Sequence, residues 1–182
     1  MRKWIVIVLL ALVLSIGTAV PALAATTADI TITATPTYIA MTLSNDPNTW
    51  AIGTVAENTT YYWTADDLVP AEPLADGDMH ETITNTGSVA EDIDISCGNF
   101  TGGVGWTLSA DDSPGANEVN LRAGITGMAT RAAMVQVTNA PIELKDALAA
   151  SGTVMMCLEL ETGTFTDGVA KSGITTLTAS AN

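Results

Sequence analysis

The chain has 182 residues, is 47% hydrophobic and 14% charged, and sets 20 acidic residues against 6 basic ones for a net charge of −14 at pH 7. That balance excludes nucleic acid as a partner, because phosphate binding requires a surplus of Lys and Arg, and it disfavours anionic membrane surfaces. The apolar content is too high for a disordered acidic tail, and the length fits one domain with a core of its own.

The first predicted element is a leader. Arg2 and Lys3 precede an apolar run over residues 4–14, followed by Pro21 and the small-residue triplet Ala22, Leu23, Ala24. Positive start, short apolar run and small cleavage residues are the parts of a secretory signal peptide, and the run is short for a membrane span. Residues 1–24 are therefore expected to be a signal peptide cleaved after Ala24, with residues 25–182 a single exported domain, secreted or held at the cell surface. Cleavage would remove Arg2 and Lys3 and leave four basic residues against twenty acidic ones, a net charge of −16. No mature membrane span is expected.

Beyond the leader, apolar and polar residues alternate with a period of two, the signature of half-buried strands. Ile30 and Ile32 fall on one face, with Asp29, Thr31 and Thr33 on the other; Ile39, Met41 and Leu43 repeat the pattern. Strands are then expected over residues 50–55, 59–64 and 80–84. In residues 89–97 the alternation puts Val89, Ile93, Ile95 and Cys97 on one side and Asp92, Asp94 and Ser96 on the other, so that its carboxylates are expected to face water. Further strands are expected over 104–109, 117–122, 132–138, 153–160 and 173–180. The connectors between them are rich in Asn, Asp, Gly, Ser and Pro, the residues of turns. The one helix candidate, residues 142–150, also reads as a strand followed by a loop. Strand starts recur about every 8–12 residues and no β-α-β alternation is present, so the expectation is all-β: an antiparallel β-sandwich, immunoglobulin-like or jelly-roll-like.

Few residues offer chemistry. The single histidine, His80, starts a strand and has no nucleophile motif to serve, so no catalytic residue is assigned and an enzyme is not expected. Asp76 and Asp78 flank a glycine in a loop and are weak calcium candidates, without the spacing of an EF-hand. No cofactor is otherwise indicated. Cys97 and Cys157 are the only cysteines, and export favours joining them in a disulfide. Their phases disagree. Cys97 shares the face of Ile93 and Ile95, whereas Cys157 falls with Met155 and Glu159, opposite Val154, Met156, Leu158 and Leu160. An oxidising compartment tips the expectation to the disulfide. Trp106 reads as core, while Trp50 and Trp63 could stack on a sugar.

"ITNTGSVAEDIDIS", residues 83–96, resembles a hairpin that recurs in secreted immunoglobulin-like sandwich proteins of microbial surfaces, in which an "NTG" turn joins two strands. The order "ITATPT", "NTG" hairpin, "GWTLS" and "DGVAKSGITTLTAS" is similar to the same class, and loosely to TasA/camelysin-like biofilm fibre subunits. The resemblance implies a structural role and no catalytic residues. The terminus itself points the same way. Signal cleavage would free a strand-forming segment carrying Ile30 and Ile32, and such a strand can either pair within its own copy, as the first strand of its sandwich, or add to the sheet edge of the next copy, head to tail. The expected function is thus an exported structural or surface protein, a subunit of a filament or layer assembled by strand addition. The alternative is a secreted module binding carbohydrate or calcium.

Overall fold

The structure is a computed structural model and describes residues 34, 36–44 and 49–182. The expected signal peptide, residues 1–24, and the expected donor positions Ile30 and Ile32 lie outside the described residues. From Pro36 onward the chain belongs to one compact unit.

Among the described residues ten strands build that unit: β1 (Met41–Leu43), β2 (Thr60–Trp63), β3 (Glu81–Asn85), β4 (Glu91–Cys97), β5 (Thr107–Leu108), β6 (Glu118–Ile125), β7 (Val135–Gln136), β8 (Ile142–Leu148), β9 (Thr153–Thr162) and β10 (Thr175–Ala181). They form two sheets. The larger runs β1-β3-β9-β6-β5, with β2 also on β9 and β7 also on β6; the smaller runs β10-β4-β8. Every strand pairing is antiparallel except β5 with β6. The molecule is an all-β sandwich. No described helix is long and apolar enough to cross a membrane.

The alternation read from the sequence decides which side chains meet. Ile93 and Ile95 of β4 are wholly buried and Cys97 nearly so, while Asp92, Asp94 and Ser96 turn outward. From the facing sheet come Val154, Met156, Leu158 and Leu160 of β9 and Val119, Leu121 and Ala123 of β6. Each fully buried Ile, Leu or Val contributes about 1.5–3 kcal/mol by leaving water.

Two local expectations change and one two-way reading is decided. Of the readings for residues 142–150, the strand followed by a loop is found and the helix is not: β8 spans Ile142–Leu148 and a turn follows. The register with β4 slips twice and Ala147 takes φ 48°, so the buried residues Leu144 and Leu148 fall four apart and imitate helical spacing. Residues 50–55 pack on the core without joining a sheet. The "NTG" segment is not a hairpin, because β3 belongs to the larger sheet and β4 to the smaller. It is an arch between sheets. Asn85 Oδ1 accepts the Gly87 N–H at 2.8 Å, and Asn85 Nδ2 donates to the carbonyls of Val89 and Leu148, each at 2.8 Å. Gly87 is needed for close approach: a Cβ there would collide with Glu91 Oε1 and lie 2.7 Å from the Tyr38 carbonyl oxygen.

Candidate functional site

The edge strands β1 and β10 border a seam between the two sheets. A cleft of about 890 Å³ opens along it, walled by Met41, Leu43, Trp50, Phe100, Phe165 and Leu177 and floored by Leu121, Met156, Leu158 and Leu160. Val169 and Ile174 stand on its rim, 54% and 76% exposed. Trp106 also lines the cleft, and its indole N–H is buried with no hydrogen-bond partner among the described residues. Lys171 lies beside it, 5.8 Å from the Trp106 ring centroid, and pairs with Asp167. That ammonium, together with the Val104 and Val169 N–H groups, holds the Asp167 carboxyl down to about 2.

β10 has β4 on one side and, among the described residues, no strand on the other. The Gly98 N–H donates to the Ile174 carbonyl and the Asn182 N–H to the Ala90 carbonyl. With Leu177 opposite Ile95, antiparallel alternation then directs the N–H groups of Thr176, Thr178 and Ser180 toward β4. Those of Leu177 and Ala179 point to the open edge.

The opposite lip, β1, is tied down by two buried carboxylates. Glu91 is fully buried and its Oε1 accepts the Ala40 N–H at 2.7 Å. Glu81 is 1% exposed, and its Oε1 accepts the Ser44 hydroxyl at 2.6 Å and the Ser44 and Thr82 N–H groups. The expectation that the carboxylates of residues 89–97 face water holds for Asp92 and Asp94 and fails for Glu91. Its phase with Ile93, and that of Glu81 with Ile83, is the signal in the sequence that marks both as inward.

The other residues singled out from sequence scatter. Asp76 and Asp78 lie in a single 3-10 turn, where the Asp78 carboxylate accepts the Ala75 and Ala71 N–H groups at 3.0 and 3.3 Å. Among the described residues no three His, Cys, Asp or Glu side chains gather as a metal set. Trp63 is buried, stacked on Trp50 with ring centroids 6.3 Å apart and tilted against His80 at 4.4 Å, so it offers no open sugar platform. His80 and Trp63 meet because β2 and β3 follow one another along the same edge of β9.

The expected disulfide is absent. Cys97 and Cys157 are both free and buried. Cys97 points into the space between the sheets and Cys157 into a separate small core on the outer face of the larger sheet, so a sheet separates the two thiols. The opposed phases of the two cysteines decide against the expectation drawn from export. Burial raises both thiols, that of Cys157 to about 11.

The same outer face buries Glu159, which pairs with Arg131 and Arg122. Burial works against the Arg131 charge, but its hydrogen bond and attraction to Glu159 outweigh that and raise its pKa. Burial raises the pKa of the Tyr62 hydroxyl, which accepts from Arg131 at 2.7 Å. Each member of this cluster has a partner, and the cluster fastens the loop after β6 to the sheet.

Comparison with protein-family models, curated proteins and solved structures finds no match. A function for the seam therefore rests on its own geometry.

Proposed function

We propose that this is an exported structural protein whose copies join by strand addition, the segment around Ile30 and Ile32 of one copy entering the seam of the next. The observation that carries the reading is the pairing of an open edge on β10 with an apolar cleft beside it. A strand laid on β10 would meet the N–H groups of Leu177 and Ala179, which have no partner among the described residues, and turn every second side chain into the cleft. Residues 27–33 suit that place: Ile30 and Ile32 are two apart, and seven residues extend about 23 Å at about 3.3 Å each, matching the seven residues of β10. The buried Trp106 N–H is a donor for a carbonyl arriving in the cleft. Because donor and acceptor are different surfaces of one chain, the contact is heterologous and propagates as a filament.

Electron microscopy of purified residues 25–182 tests this. Filaments are expected, and they should be lost in a chain starting at residue 35 and in Ile30→Asp/Ile32→Asp. Monomers at millimolar concentration, or filaments that survive both changes, would overturn the reading.

A further inference from the structure

Apart from the seam, the most unusual chemistry is the small core on the outer face of the larger sheet. Leu74, Met79, Met134 and Cys157 are buried there, and Met128 and Met155 pack against them. Four of the seven methionines and one of the two cysteines thus meet at one place, brought from three separate stretches of chain.

The ladder gives the strand neighbours of Cys157 in this cluster. Across β9 and β6, Cys157 is paired with Gly124. Met134 Cγ and Cε come within 3.0 and 3.2 Å of the point a Gly124 Cβ would occupy, so the sulfur bonded to both rests over Gly124, on the strand next to Cys157. At the other edge of β9, the His80 N–H donates to the Met156 carbonyl at 3.0 Å, and Met79, the residue before His80, is buried in the same cluster as Cys157. The absent side chain at Gly124 leaves the space that Met134 fills. Methionine is a common gap-filler, and thioethers alone would be packing. A thiol set among thioethers is a different donor set. Soft sulfur ligands select soft, monovalent ions, whereas hard divalent ions need oxygen or nitrogen groups. Asp78 adds negative potential at Cys157, and nearby Arg131 is paired with Glu159.

We propose that Cys157, Met79 and Met134 form a binding site for a soft monovalent metal ion, Cu(I), with Ag(I) as its redox-inert analogue. On binding, the Cys157 S–H bond breaks and its proton leaves to solvent as the sulfur–metal bond forms. The metal keeps its oxidation state, so no electron donor is required. Met128 and Met155 exclude water around the three ligands.

Ag(I) titration of residues 25–182, read by native mass spectrometry, and Cu(I) competition against bicinchoninate under anaerobic reducing conditions test the site. Cys97 serves as the internal control, since it lies between the sheets away from this cluster. One ion per chain is expected, retained in Cys97→Ser and weakened at least about tenfold in Cys157→Ser. Met79→Leu/Met134→Leu conserves side-chain volume and is expected to fold, which the thermal melt checks, and should weaken binding while Met41→Leu does not. Equal loss in the two cysteine variants would overturn the proposal. So would unchanged affinity in the double leucine variant, which would mean ordinary thiol capture.

Discussion

Two carboxylates and a glycine show how much of this fold is decided by single atoms. Glu81 and Glu91 sit in core-facing phase, yet each uses a carboxylate oxygen to hold a backbone N–H of the β1 segment. Charge type hides them in the sequence; their period-two position does not. Gly87 is similar, since it looks like a turn glycine and is instead a point of contact between segments. Gly87→Ala is expected to cost about 1–3 kcal/mol, because the new methyl must displace the Glu91 carboxylate or the Tyr38 carbonyl. Urea denaturation would show this as a lower midpoint at unchanged slope, and a change within about 0.5 kcal/mol would contradict the contact. Asp167 offers a pH test. Its folded pKa of about 2 lies below the ordinary 3.8, so its contribution is present above the ordinary value and is lost as pH falls from there through about 2. Asp167→Asn should remove that segment of the acid-unfolding curve and leave stability above pH 5 nearly independent of pH at this position.

At the scale of elements, legibility follows regularity. β4 and β9 are readable because strict alternation faces an apolar partner sheet. β8 is ambiguous because its slips in register destroy the period by which strands are recognised. The arch at residues 85–88 cannot be told from a hairpin, because the local turn chemistry of Asn85 is the same whether the next strand joins the same sheet or the opposite one. The open edge of β10 is not visible either, since a strand's neighbours are a long-range property. That edge gives a sharp variant. Ala179→Pro removes an N–H that points away from β4, so β4 pairing should survive, as proline is tolerated on strand edges. The variant is expected to stay a folded monomer by circular dichroism and sedimentation, and to fail as an acceptor of the added strand. Normal assembly by this variant would move the acceptor edge elsewhere.

For the whole molecule, composition and turn spacing point to an all-β sandwich, and two packed sheets are found. The disulfide expectation comes from compartment alone and gives way to the geometry of a sheet lying between the two thiols. The seam is beyond sequence reading, because it exists only where the edges of the two sheets, among the described residues, do not meet over their shared core. Its interpretation as an acceptor is the central claim, and amide hydrogen exchange at Leu177 and Ala179 tests it most directly. These amides point away from β4, so in monomeric residues 25–182 they should exchange quickly, and on assembly they should become protected. Protection already present in the monomer would place the partner strand within the same copy. Fast exchange that persists in the assembled state would contradict strand addition at the seam.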